Sequence, residues 1–251
     1  MTVPLENLDA DVRKSDPDRW LAARFASAPR RSELAALYTF NHELARAPET
    51  ATNPLMGEIR LAWWREGVEA LFEDGAARHD ALEVLRGPMR EGRLSRERLE
   101  AMIEARHAEL NPIPFADEAD LVSHIDATAG ALMAAAARLL GASDEMEPVR
   151  PAGRAWGWAG LLRAQAWWSA KGRRWTPAAW GEPEPEEIAA HVRHRVADSL
   201  AESRTALAAL PVAAFPAVAY ATLSRAYAGG RELTELGKQA RLVKASLTGK
   251  L

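Results

Sequence analysis

The chain has no cysteine among its 251 residues, which excludes disulfides and thiolate metal sites. A reducing compartment suits such a composition. Neither sign of charge is in excess: 32 Lys and Arg stand against 35 Asp and Glu, a net charge of −3, so no nucleic-acid partner is expected. No apolar run is long enough to span a bilayer. The longest, Ala127 to Ala142, is interrupted by Arg138 and falls short of the roughly 20 residues required. The stretch Leu210 to Leu223 is cut by Pro211 and Pro216. Both read as core helices. Asp9, Asp11, Arg13, Lys14, Asp16, Asp18 and Arg19 break up the first twenty residues, so no signal peptide is expected. There is no glycine-rich phosphate loop, nucleophile elbow or zinc-protease motif. The expected location is cytoplasmic, with at most peripheral contact to the inner membrane.

What is present is helix. Hydrophobic residues make up 48% and charged residues 27%, a globular balance, and strand patterning is nearly absent. Asp16-Pro17 and Asn53-Pro54 are helix starts, each a capping side chain before a proline. A helix from Ser32 carries Leu34, Leu37, Tyr38 and Leu44 at helical spacing and is expected to stop at Pro48. Further helices are predicted at 79–86, 95–109, 117–141, 151–171, 185–209, 213–228 and 231–247. Gly75, Gly92, Gly141, Gly181 and Gly229-Gly230 punctuate them. The charged, proline-rich segment 181–187 reads as a connection within one domain spanning 1–251, with its core at about 16–230 and a C-terminal helix at about 231–247. The fold class is all-α, a single-domain helical bundle.

Two features invite functional readings. His191 and His194 are spaced i, i+3 and could share a metal, but Arg193 and Arg195 surround them and no third ligand is near, so a solvated helix face is the simpler reading. The nine tryptophans include the pairs Trp63-Trp64 and Trp167-Trp168. Adjacent helical residues point about 100° apart, so one of each pair should face the core and the other a cavity or interface.

More informative is the segment Arg31 to Glu49, with Tyr38-Thr39-Phe40-Asn41-His42 at its centre. A second, Gly157 to Pro177, contains Leu162-Arg163-Ala164, Trp168, Gly172-Arg173, Trp175 and Pro177. Between them lie Asp117, Asp120, Leu121 and the pair Ala129-Gly130. In order and spacing these resemble the motifs of the squalene/phytoene synthase family over roughly residues 20 to 230. The resemblance implies an isoprenoid-synthase bundle in which helices near 32–47 and 157–171 face one another across a cavity. In such enzymes aspartates on both helices hold magnesium ions that clamp the diphosphate of a prenyl substrate.

The aspartate positions are filled differently here. In the first motif they fall on Ala45, Arg46 and Glu49, and in the second on Ala164 and Trp168. Glu43 and Glu109 remain nearby but do not rebuild two facing carboxylate clusters, so no catalytic residue, metal or cofactor is expected. The chain is similar to the non-catalytic subgroup of the family that assists assembly of respiratory complex I, which carries Leu-Arg-Ala in the second motif. Three readings follow: a pseudoenzyme acting as an assembly factor with a respiratory complex subunit as partner; an active head-to-head prenyltransferase with relocated ligands and magnesium; and a carrier for an isoprenoid diphosphate or other lipid. Arg31, Tyr38, His42, Arg46, Arg163, Trp168 and Arg173 are the candidate ligand-binding residues. Alternatively, the arginines simply form ion pairs with Glu43, Glu49 and Glu109.

The segment 231–251 adds one expectation. Leu236, Val243 and Leu247 share a helical face and most basic groups lie elsewhere, the pattern of a helix resting on a membrane surface. The alternative is that this helix packs on the bundle with its basic side in water.

Overall fold

A computed structural model describes residues 5–51, 53–73, 75–110, 113–143 and 148–251. Among these there is no strand, and the architecture is an all-α bundle. The helices are α1 (Leu5–Ser15), α2 (Pro17–Ala23), α3 (Ala28–Thr50), α4 (Pro54–Phe72), α5 (Asp80–Arg90), α6 (Arg96–Glu104), α7 (His107–Leu110), α8 (Glu118–Ile125), α9 (Ala131–Leu139), α10 (Arg150–Arg163), α11 (Gln165–Ala170), α12 (Pro185–Ala206), α13 (Ser224–Ala228) and α14 (Glu235–Thr248).

Two helices organise the rest. In α3, every residue from Leu34 to Phe40 is buried, so neighbours cover the helix on all sides rather than along one stripe. Those neighbours are α1, α4, α5 and α9. The second is α10, which packs on α12, α13 and the π turn Asp126–Gly130. Where it approaches Ile125 and Gly130 it presents glycine. A β-carbon at Gly153 would lie 2.8 Å from the Cα of Gly130, and one at Gly157 would lie 2.4 Å from Ile125 Cγ2. Gly153 thus lets the α10 backbone touch that of Gly130, and Gly157 of the second motif makes room for the Ile125 side chain.

Several boundaries differ from those the sequence predicts. The helix α1 carries its apolar residues too sparsely to stand out, although Leu8 and Val12 are buried. The start of α3 is Ala28, with Pro29 in its first turn, and the helix runs through Pro48 to Thr50. Pro48 lies in the last turns, where only one hydrogen bond is forfeited. The predicted helix 117–141 contains the π turn, and 151–171 breaks at Ala164 into α10 and α11. The segment 213–228 is mostly 3₁₀, at Val212–Ala217 and Ala219–Leu223, with Pro216 inside it. The capping box of Glu184 and Glu187 starts α12, so the proline-rich segment leads directly into a helix. No described helix is long and apolar enough to cross a membrane.

Candidate functional site

A cavity of about 210 Å³ lies between the helices of the two motifs. Asn41 of α3 lines one side, and Trp156, Gly157, Gly160 and Leu161 of α10 line the other. The two motif helices therefore face one another, as the resemblance implies. The floor is polar. Glu109 Oε1 lies 2.6 Å from Arg106 Nη1 and 3.2 Å from His124 Nε2. Arg106 also donates to Asn41 Oδ1 at 3.0 Å, and Arg173 donates to the Glu109 carbonyl. Burial alone would raise the Glu109 carboxyl, but Arg106 and His124 outweigh it and hold the group below its ordinary value.

On the other flank Arg19 is buried against three rings. Its guanidinium carbon is 4.9 Å from the Tyr220 centroid, 5.3 Å from Trp156 and 5.9 Å from Tyr38. It is ion-paired to Asp16. Burial opposes its charge, yet Asp16 and Tyr220 keep it protonated. Burial also pushes the Tyr38 hydroxyl up, and that hydroxyl has no hydrogen-bond partner among the described residues.

The candidate residues divide between this interior and the surface. Tyr38 belongs to the interior. Arg31 does not; its Nε donates to the Ala26 carbonyl at 2.9 Å and secures the turn between α2 and α3. Ala45 is half-buried, and Arg46 is exposed and pairs with Glu43 at 3.1 Å on the same helix. His42 lies close enough to Glu49 to lower its carboxyl, but partial desolvation and the Glu109 charge win, and Glu49 is raised overall. Arg163 stands over Tyr227, 4.2 Å from the ring, with Asp18 at 3.7 Å. Ala164 marks the break between α10 and α11, and half-buried Trp168 packs edge-on against Trp167 at 5.2 Å. In the first tryptophan pair Trp64 is buried and Trp63 is 39% exposed; in the second, both members are half-buried, because short α11 buries no residue completely. His191 and His194 do not converge. His191 Nε2 lies 3.0 Å from Glu118, and His194 Nε2 lies 3.2 Å from Asp198.

Sequence reading missed Arg19, Asp18, Arg106 and His124. Asp18 accepts from Tyr227 Oη at 2.7 Å and lies 2.9 Å from Lys238 Nζ. Asp18 and His124 give no local signal because their partners are distant in the chain; Arg19 and Arg106 do have acids three positions away, Asp16 and Glu109, but i, i+3 pairs also occur on exposed helix faces and do not mark an interior site.

The donor set does not fit a magnesium cluster. Such an ion needs several hard oxygens in near-octahedral array. Glu109 is already held by Arg106 and His124, Glu43 is paired to Arg46, and Ala164 and Trp168 offer no oxygen. Among the described residues, no three His, Asp or Glu side chains converge.

Two open clefts adjoin the interior. One, of about 520 Å³, lies between α3 and α4 and is lined by Arg46, Ile59, Arg60, Trp63 and Trp64. The other, of about 550 Å³, is lined by Leu162, Arg163, Tyr227, Arg231, Leu233 and Lys238.

With this geometry in view, comparison with known proteins is consistent. The chain is similar to the assembly factor 6 of NADH dehydrogenase (ubiquinone) complex I, 24% identical over 133 residues in Bos taurus and 23% in Homo sapiens. That stretch is 53% of this chain and spans only 40% of the length of those relatives. The fold is that of a dehydrosqualene synthase solved in complex with ligand, with a TM-score of 0.82, 12% identity, and coverage of 98% of this chain and 96% of that one. Squalene synthase HpnC from Alicyclobacillus acidocaldarius superposes with a TM-score of 0.73 at 16% identity, over 98% and 94% of the two chains. A family model described as squalene/phytoene synthase matches residues 12–248, and over that span the paired motif helices and their shared cavity make this chain a member of the squalene/phytoene synthase family.

Proposed function

We propose that this chain is a non-catalytic member of the family that serves as a binding factor in assembly of a respiratory complex, rather than condensing prenyl diphosphates. The observation that carries this reading is Glu109. It sits largely enclosed between the two motif helices, ion-paired to Arg106 and in contact with His124 of the same chain. A working synthase requires open carboxylates that metal ions neutralise, so that leaving diphosphate is stabilised in the transition state. Here the protein's own Arg106 takes that role. The cavity supports the same reading. Its roughly 210 Å³ is below the range of about 300–1,000 Å³ usual for small-molecule sites, and head-to-head coupling must hold two prenyl chains at once.

Binding capacity remains outside the cavity. Leu55, Ile59 and Trp63 recur at every fourth residue along α4 and are 62%, 53% and 39% exposed. Arg46 and Arg60 line the cleft beside them. Tryptophan and arginine around an apolar ridge are the composition of a protein-binding hot spot. On the opposite side, Arg163 is half-exposed in the 550 Å³ cleft and can offer hydrogen bonds to an anionic lipid or isoprenoid head group without metal.

The test is incubation of the full chain with farnesyl or geranylgeranyl diphosphate and magnesium. No pyrophosphate release is expected. Turnover at about 0.01 per second or faster, still below typical enzyme rates, refutes the reading. Thermal shift completes it: magnesium alone leaves the melting temperature unchanged, and any rise produced by farnesyl diphosphate persists in chelator.

A further inference from the structure

At the far end of the bundle, α12, α13 and α14 enclose a cleft of about 600 Å³ whose charged side chains are all cationic. Arg204, Arg225, Arg231, Arg241, Lys244 and Lys250 line it, and no Asp or Glu side chain does. None of the six forms an ion pair among the described residues; Arg241 donates to the Gly237 carbonyl. Elsewhere in the molecule arginines are paired as a rule, as in Arg93 with Glu33 at 2.8 Å and Arg154 with Asp126 at 2.7 Å. Six like charges around one cleft repel each other and weaken the compact state, so an anionic occupant would relieve the repulsion.

The same helix carries a second, independent feature. Leu242 and Ala245 of α14 are buried against the bundle. Leu236, Val243 and Leu247 are 76%, 44% and 81% exposed. At 100° per residue these three fall within about 40° of arc, and that arc lies roughly opposite the buried face. Arg241 and Lys244 lie on one flank between ridge and bundle. The helix therefore presents a buried seam, a cationic flank and an outward aliphatic ridge in turn around its circumference. No aromatic residue accompanies this ridge, unlike the α4 surface with Trp63, so it lacks the anchors of a protein hot spot. Aliphatic side chains flanked by cations match an anionic lipid surface, where the apolar groups enter the acyl boundary and the cations meet head-group phosphates.

We infer that α14 and the cationic cleft beside it form a docking surface for an anionic phospholipid bilayer, with Leu236, Val243 and Leu247 inserting and Arg204, Arg225 and Lys244 contacting head groups. This inference does not depend on whether the chain is catalytic.

The experiment is flotation of the full chain with vesicles of phosphatidylcholine alone and with phosphatidylglycerol added. Binding is expected only to the anionic vesicles and should weaken at high salt. Two triple variants separate the contributions: Leu236→Asn/Val243→Asn/Leu247→Asn removes the ridge, and Arg204→Gln/Arg225→Gln/Lys244→Gln removes half the charge. Each should lower vesicle affinity roughly tenfold or more while leaving circular dichroism unchanged. If a triple variant melts early, Leu247→Asn and Lys244→Gln, both on exposed side chains, carry the same comparison with smaller losses. The inference is overturned if the full chain fails to float with anionic vesicles, or floats equally with neutral ones. It is also overturned if the variants float like the parent, or if glycerol phosphate displaces the protein completely, which would mark a small-anion pocket instead.

Discussion

The centre of the bundle and its C-terminal face treat arginine in opposite ways. At the centre, Arg19 and Arg106 are almost fully enclosed and each has an acid within reach, Asp16 and Glu109 respectively. At the C-terminal face, six cations surround one cleft with no acidic side chain lining it. Burial explains the difference. An unpaired charge in the interior is prohibitively costly, whereas at the surface water solvates it at little cost. Pairing at the centre is thus a condition of folding. The absence of pairing at the periphery has no structural necessity, and that is why it points to an external anion. Asp18 marks the boundary, meeting Lys238 and Arg163 from the outer side and Tyr227 from within.

The comparison breaks most readily at Glu109. Glu109→Gln leaves Arg106 without its enclosed counter-charge and should cost about 3 kcal/mol, measured by urea denaturation. The pH dependence follows from the sign of the shift. The Glu109 carboxyl is held below its ordinary value, so its stabilisation is fully present above the ordinary range near pH ~4.3 and is lost as pH falls through the lower folded value. The variant should lack that acid-limb loss.

Asp18→Asn tests the boundary. It weakens the bridge that ties α2 to α14 through Lys238 and removes a charged acceptor from Tyr227. A loss of about 2 kcal/mol is expected, read from the shift in denaturation midpoint. If the loss is negligible, the two regions are not coupled through this residue.

Glu49 gives a smaller effect of opposite sign. Partial desolvation and the charge of Glu109 raise its carboxyl. Its ionisation therefore opposes folding, and stability declines as pH rises from the ordinary carboxylate range through the raised value. Glu49→Gln should stabilise the protein at neutral pH, by less than about 1 kcal/mol because the residue is exposed and screened, and should remove that decline from a series of melting curves.

The smallest change is expected at the outer cleft. Arg204→Gln/Arg225→Gln breaks no ion pair among the described residues, so stability without lipid should stay within about 0.5 kcal/mol of the parent or rise slightly as repulsion falls. A large destabilisation would show that these cations serve the fold rather than a ligand.

What the sequence by itself determined is the helical class and the order of the elements, whereas the facing of the two motif helices was implied only by the family resemblance. Class and order rest on local causes: proline starts, capping side chains, glycine stops and the helical period of Leu34, Leu37 and Leu44. That Leu236, Val243 and Leu247 share a face was legible for the same reason, since it requires only the 3.6-residue turn, whereas the exposure of that face was decided by how α14 packs. The tertiary structure alone decided how charges were spent. Arg46, prominent in the motif, turned outward to Glu43, while Arg106 and His124, unremarkable in the chain, closed around Glu109. Asp18 and Tyr227 are 209 positions apart yet share a hydrogen bond. Burial and long-range pairing arise from packing of one helix on another, and no local pattern records which acid a given arginine will meet. The glycines of α10 lie between the two cases: their spacing is written in the chain, but only the approach of the Asp126–Gly130 turn shows what Gly153 and Gly157 make room for.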